Sequence, residues 1–236
     1  MNFLSRKKAE PDYYELLERI HAFLKPRTYV EIGIRQGHSL RLAKTAAASV
    51  GIDPAPALEA KPRRGARIFP MTSDEFFERH DLAEELGRRK VDLAFVDGMH
   101  LFEFALRDFA NLEKFCDQGS TILVHDCYPV DRASATRERT TQLWSGDVWK
   151  LVVCLKKYRS DLRICTVDVP PTGLGIIRGL DPSSTTLSSL LDSLYKEFVP
   201  YDYGQIESDK AHQLNRVENR WHEIKSLLSA SSLAAK

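Results

Sequence analysis

Apolar and polar positions along this chain repeat with two different periods. From Asp12 to Phe23 (DYYELLERIHAF) apolar residues recur at helical spacing and Pro26 closes the run, which predicts an N-terminal helix. Short unbroken apolar runs follow at Tyr29–Gly33, Val50–Asp53, Ala66–Phe69, Val91–Asp97 and Thr121–Asp126. Helical patterns at Ser39–Ala48, Ser73–Arg88 and Leu101–Phe115 lie between them. Strands without in–out alternation are buried on both faces, so β and α elements taking turns predict a parallel sheet covered on both sides.

The rhythm changes after the fifth strand. Pro129–Gly146 is long and polar, which predicts a lid over a site, mobile without substrate, rather than a simple connector. Val148–Tyr158 reads as a helix. Leu162–Val169 and Leu174–Arg178 read as strands joined through Pro170–Gly173 (PPTG), a joint tight enough to predict an antiparallel hairpin. The remainder carries two helical patterns around Tyr201–Gly204 (YDYG), and only the terminal SSLAAK reads as disordered. The organisation expected is one domain over 1–182 and a C-terminal helical extension over 183–236, packed on or beside it.

Composition narrows the class. At 236 residues the chain is long enough for one sizeable α/β domain. Lys and Arg total 34 against 33 Asp and Glu, so the basic excess of a nucleic-acid binder is absent and no such partner is expected. The runs at Arg6–Lys8 and Lys61–Arg64 are short and read as solvated surface. Four cysteines without a CxxC pair form neither a zinc site nor a disulfide framework, and Cys154 and Cys165 sit in apolar, core-like stretches. No apolar run approaches the ~18 residues of a membrane span, and the N-terminus lacks a signal-peptide core, so a cytoplasmic protein without a membrane partner is expected. Homo-oligomerisation is left open.

The candidate chemistry starts at Glu31–Ser39 (EIGIRQGHS). A glycine turn between strand and helix lets a cofactor approach the backbone and meet free N–H groups. Dinucleotide sites use GxGxxG to cradle pyrophosphate. Here the run is ExGxxxG, with Glu31 where the first of those glycines would stand, then Gly33, Gly37 and Ser39. A carboxylate there repels pyrophosphate but suits a ligand carrying an ammonium and a sulfonium, such as S-adenosylmethionine (SAM). Asp53 ends the second strand about 20 residues on, where a carboxylate can accept from both ribose hydroxyls. Ser73 reads as a helix N-cap, and Asp74 or the backbone beside it falls near the adenine. Asp97 and His100 lie where the fourth strand gives way to a helix, and His125 and Asp126 end the fifth. All four converge at the carboxyl edge of the sheet, provided the fifth strand has ended by His125, since successive strand residues face opposite ways.

Together EIGIRQGHS, GIDP, FVDGMH, VHDCYP and, more weakly, GDVWK resemble class I SAM-dependent methyltransferases, over roughly Tyr29 to Arg178. The narrower resemblance is to the branch of macrolide-sugar O-methyltransferases and cephalosporin hydroxylase-like proteins. It implies a Rossmann-like α/β sheet of seven strands with the last hairpin antiparallel, flanked by the N-terminal helix and the C-terminal helical extension. It also implies methyl transfer from SAM to a hydroxyl of a saccharide, glycoside or other polyhydroxylated metabolite. In that branch the Asp of DGxH and an acidic pair on the next strand hold Mg²⁺, and the His of DGxH is the proposed base. Carried over, Asp97 and Asp126 are metal ligands, Asp97 also stands beside the cofactor, and His100 is the base. The partner before Asp126 is usually Glu but is His125 here. An imidazole suits Mn²⁺ or Fe²⁺ better than Mg²⁺. Either Asp97, His125 and Asp126 hold such a metal, or no metal binds and His125 is a second catalytic acid–base group. Trp144 and Trp149 read equally as acceptor-pocket walls or core, and Tyr128 as a pocket floor. The rival functions are an NAD-dependent oxidoreductase and a catalytically silent SAM-binding regulatory or scaffold protein.

Overall fold

A computed structural model describes residues 12–229. The Arg6–Lys8 run and the terminal SSLAAK lie outside the described residues. Five strands, β1 (Thr28–Ile32), β2 (Ala48–Ile52), β3 (Ala66–Phe69), β4 (Leu93–Val96) and β5 (Thr121–His125), run parallel. The hairpin of β6 (Arg163–Asp168) and β7 (Leu174–Arg178) adds β7 antiparallel to β5. A short β8 (Arg216–Glu218) pairs parallel with β6, giving the order β3-β2-β1-β4-β5-β7-β6-β8. The sheet therefore has eight strands rather than the expected seven, and the eighth comes from the segment read as wholly helical. The strand escapes a sequence reading because it is three residues long and takes its pattern from its neighbour.

Burial on both faces explains the unbroken apolar runs. Val30, Ile32, Val50, Ile52, Ala94, Val96, Ile122 and Val124 face one side, packed under α2 (Ser73–Arg79), α3 (Leu82–Glu85), α4 (Phe102–Glu113), α5 (Trp149–Tyr158) and α6 (Thr186–Phe198). Tyr29, Leu93, Phe95 and Leu123 face the other, under α1 (Tyr13–Leu24) and α8 (Trp221–Ser229). A further short helix, α7 (Lys210–Gln213), precedes β8. Trp149 is wholly buried and belongs to the core, as do all four cysteines. No helix among the described residues is long and apolar enough to cross a membrane.

Three local expectations change. The helix expected over Ser39–Ala48 shrinks to a 3₁₀ turn at Leu40–Leu42. The N–H groups of Ala47 and Ala48 go to the Arg27 carbonyl, and the Thr45 hydroxyl to that of Pro26, so entry into β2 takes the bonds a helix would need. The helix expected over Ser73–Arg88 breaks at His80, which is extended and stacks on Phe76, and Asp81 caps a fresh turn. The N-cap is Thr72, not Ser73: Thr72 and Glu75 form a reciprocal capping box, which leaves the Ser73 hydroxyl for another partner.

His21 on α1 gives the core an acid-sensitive point. It is 4% exposed, packs edge-on against Tyr29, and neither ring nitrogen has a hydrogen-bond partner. Burial disfavours its charged form and lowers its pKa to about 4. Above the unfolded value of about 6.5 both states are neutral and nothing is lost. As pH falls below that, the unfolded chain takes up a proton that the folded one refuses. Folding stability should drop by on the order of 3 kcal/mol by about pH 4. Denaturant titrations of the parent and His21→Leu across this range check it, the variant losing that share of the acid sensitivity.

Candidate active site

The site forms where β1, β2, β4 and β5 end. Gly33, just past β1, has φ +89° and gives its N–H to Ile52 O at 2.8 Å. A Cβ there would lie 2.0 Å from Asp97 O, so the first loop and the end of β4 touch backbone to backbone. Glu31 faces the α1 side of the sheet, fully buried, and accepts from the Tyr29 hydroxyl at 2.8 Å and from the Ser39 hydroxyl. Burial pushes its acid up to about 8 against the hydrogen bonds of Ser39 and Tyr29. Glu31 lines neither cavity described below, which corrects the expectation that it meets a ligand ammonium directly; it fixes Ser39, which does line one. Gly37, at φ +76°, closes the loop through its N–H to Ile34 O. With no α-helix following, the loop offers no helix N-terminus to a ligand.

Two cavities meet at this edge. One, of about 390 Å³, lies between the ends of β1, β2 and β4 and the starts of α2 and α4. Asp53 stands on its rim and accepts from the backbone N–H groups of Arg35 (2.7 Å) and Ala55 (2.8 Å), each on a different oxygen. Lone pairs remain on both, fitting a ribose diol. Asp74 lines the cavity too, but Arg107 grips both its oxygens at 2.8 and 2.6 Å. The Ser73 side chain bonds Asp108, a buried carboxyl in the back wall. Met99, 56% exposed, and Phe104 supply apolar surface for a base. A carboxylate for the ribose and an apolar cleft beyond it fit the SAM that the sequence implies.

The second cavity, of about 260 Å³, is walled by Tyr13 and Tyr14 of α1, Trp144 and Leu143 of the long loop, and Thr172 of the hairpin. Gly33, Arg35, Asp97 and His100 line both cavities. His100 has φ +56° and its Nδ1 is bonded to Asp126, which takes φ +63° and also accepts from the Thr172 hydroxyl. β5 ends at His125, and the left-handed turn at Asp126 brings both side chains to one place. His125 Nδ1 lies 3.2 Å from Asp97 Oδ1 and 3.3 Å from Asp126 Oδ2, with the Tyr13 ring 4.1 Å away.

These contacts fix the charges. Burial pushes His125 down, but Asp97 and Asp126 outweigh it and hold its pKa at about 10, so it is a cation at neutral pH. His100 is also pulled down by burial, and its bond to Asp126 and the charges of Asp126 and Asp97 raise it net. Burial works against ionised Asp126, yet the two histidines hold its acid well below the usual carboxylate range. Asp97, His100 and Asp126 each bring a donor atom within 4.8 Å of the others. His100 thus joins the two carboxylates of the expected Asp97, His125 and Asp126 set, and His125 lies against both carboxylates as well. His125 spends Nδ1 between the two carboxylates and orients them, and its Nε2 is buried without a partner. Two carboxylates and an imidazole form a donor set that fits Mn²⁺ or Fe²⁺ better than Mg²⁺.

The Pro129–Gly146 segment forms no helix or strand, but it is not loose throughout. Arg137 holds Glu103 at 2.6 and 2.9 Å and Asp147 at 2.7 Å, while Ser134, Ala135 and Ser145 are buried. Residues 130–133 are exposed but Arg132 ties them to Asp202 and Glu207, whereas the side-chain hydrogen bonds at 138–143 stay within the segment, so the expected lid contracts to 138–143. Hydrogen exchange should find 138–143 unprotected without acceptor and protected with it, and Ser134 and Ser145 protected in both states. Equal protection with and without acceptor would remove the lid.

Trp144 lies beside His100, with ring centroids 5.3 Å apart and the planes tilted by 37°. Tyr128 lies outside both cavities, under Lys210, and is no pocket floor. Tyr13, Thr172 and Asp108 were missed. Tyr13 and Thr172 carry no local signal, being far along the chain from the residues they meet. Asp108 does carry one, since it interrupts the apolar stripe of α4.

Residues 30–127 match the methyltransferase domain family. No curated protein sequence matches the chain. The SAM-bound O-methyltransferase TomG of Streptomyces achromogenes, from tomaymycin synthesis, has a similar structure, with TM-score 0.55 and 17% identity over 70% of this chain and 78% of that one. An SAH-bound O-methyltransferase of Bacillus cereus gives 0.55 and 11%, over 75% and 84%. The cofactor-bound Rv0187 of MTB gives 0.56 and 13%, over 75% and 83%. At such identities the likeness establishes the fold, the class I methyltransferase sheet with its antiparallel closing hairpin.

Proposed function

We propose that this chain, whose residues 30–127 match the methyltransferase domain family, is a class I SAM-dependent methyltransferase that methylates a hydroxyl of a small acceptor, a saccharide, glycoside or other polyhydroxylated metabolite. One observation carries the reading: an imidazole tied to a buried carboxylate, His100 to Asp126, stands in the wall shared by the cofactor-sized cavity and its neighbour. SAM supplies an electrophilic methyl on a sulfonium. Asp53 accepts from the ribose hydroxyls, and the first loop, held by Asp53 through the Arg35 N–H, walls both cavities. The acceptor ring lies between Tyr13 and Trp144, whose faces stack on the C–H surface of a sugar.

A neutral hydroxyl is a weak nucleophile and needs a base near neutrality. Asp126 accepts the Nδ1 proton of His100, which fixes the tautomer and leaves Nε2 to take the hydroxyl proton as the oxygen attacks. Asp126 stays ionised and stabilises the imidazolium that results. The cationic His125 sits against both Asp97 and Asp126 and helps keep Asp126 ionised. A second reading comes from the convergence of Asp97, His100 and Asp126: these three would hold a divalent ion of the transition series, which acidifies a hydroxyl bound beside it. The base–carboxylate pair favours catalysis over a silent scaffold. The cytoplasm is the compartment proposed.

Calorimetry with SAH, joined to a transfer assay using methyl-labelled SAM and a panel of glycosides, tests the proposal. Asp53→Ala should bind SAH about ten- to a hundred-fold more weakly. A parent protein that does not bind SAH would overturn the function.

A further inference from the structure

Asp108 is a buried carboxyl that the chemistry above does not use. It sits on the inner face of α4, 3% exposed, in the back wall of the cofactor cavity. Burying a carboxyl is unfavourable unless its lone pairs are satisfied. The adjacent guanidinium does not serve it: Arg107 gives both arms of its fork to Asp74 and a further N–H to Tyr195. The partner Asp108 has is the Ser73 side chain, freed because Thr72 takes the helix cap. A carboxyl offers about four acceptor sites, so one hydroxyl leaves most of them open. Gly98 lines the cavity beside the carboxyl, and since even an added Cβ there would stay 3.7 Å from Asp108 Oδ2, no side chain at that position covers it.

Resting on the SAM reading above, we infer that Asp108 recognises the adenine edge of the cofactor, accepting a hydrogen bond from the exocyclic amine. The other acidic side chains of this cavity are committed elsewhere. Asp53 holds the first loop at the opposite end, Asp97 faces His125, and both oxygens of Asp74, the residue the sequence put near the adenine, are held by Arg107. Met99 and Phe104 offer apolar surface against which the base plane can lie. Burial also lifts the Asp108 acid to about 7, so near neutrality a large share is the un-ionised carboxyl. That form donates as well as accepts, which matches an amine beside a ring nitrogen.

Calorimetry with three ligands decides it: SAH, S-ribosylhomocysteine, which lacks the base, and the SAH analogue with hydrogen in place of the adenine amine. The parent should bind SAH about tenfold more tightly than the deamino analogue. Asp108→Leu should lose about ten- to a hundred-fold in SAH affinity while binding S-ribosylhomocysteine like the parent. Asp108→Asn, which keeps a donor and an acceptor in the same shape, should stay within about threefold of the parent for SAH. If Asp108→Leu weakens SAH and S-ribosylhomocysteine alike, or neither, Asp108 is only a strut between α4 and Ser73 and the inference fails. Should the leucine variant not fold, the parent alone still decides, because equal affinity for SAH and its deamino analogue overturns the inference. A parent that binds none of the three overturns the cofactor reading as well, an outcome distinct from SAH binding that ignores Asp108.

Discussion

Replacing His100 by alanine should leave SAM affinity close to that of the parent and lower turnover by about 10²–10⁴-fold. The imidazole must be neutral to accept a proton, so parent activity should climb with pH as His100 deprotonates. Its raised pKa places that limb above the ordinary histidine value of about 6.5. Asp126→Asn removes the bonded charge that raises it and leaves only Asp97 against burial, so whatever activity remains should show the limb at lower pH. The alanine variant should lose the limb altogether. EDTA separates the two readings of the same cluster. With His100 as a simple base the chelator is harmless, and His125→Ala, which leaves Asp97 and Asp126 unshielded, is severely impaired. With a divalent ion on Asp97, His100 and Asp126, EDTA abolishes turnover, Mn²⁺ or Fe²⁺ restores it, and Asp97→Asn is partly rescued by excess ion. An active His100→Ala enzyme with the parent's pH profile would dismiss the base.

The second large effect concerns a residue with no chemistry of its own. Gly33→Ala puts a methyl group 2.0 Å from Asp97 O and 2.5 Å from its carbonyl carbon, on a backbone at φ +89° that alanine avoids. Neither partner is a side chain that can swing away. The left-handed conformation and the forced separation of the two loops together should remove about 3 kcal/mol or more of stability. For a chain of this size that lowers Tm by roughly 6–12 °C. Because Gly33 and Asp97 wall both cavities, SAH binding should fall even in the fraction that stays folded. Thermal scans with calorimetry on the surviving protein test this, and a variant that melts with the parent and binds SAH equally would show that the loops part freely.

The sequence by itself determined the parallel part of the sheet. Runs such as Val91–Asp97 and Thr121–Asp126 are apolar on both faces, and that is a local property no packing detail can reverse. It likewise determined that Asp53, Asp97, His100 and Asp126 gather at one edge, because in a parallel sheet strand ends share an edge. It did not determine how those residues divide the work. Alanine-rich Ser39–Ala48 favours a helix, yet Arg27 and Pro26 carbonyls take the bonds that helix would use. That His100 joins His125 at the two carboxylates depends on positive φ angles at His100 and Asp126, an arrangement disfavoured for such residues and held by a neighbour, Thr172, that the hairpin delivers. Tyr13 reaches His125 across the fold, and β8 exists only because β6 offers it an edge. Periodicity reports which face of an element is buried. What a buried polar atom meets is set by segments distant in the chain, and that information exists only once they have packed.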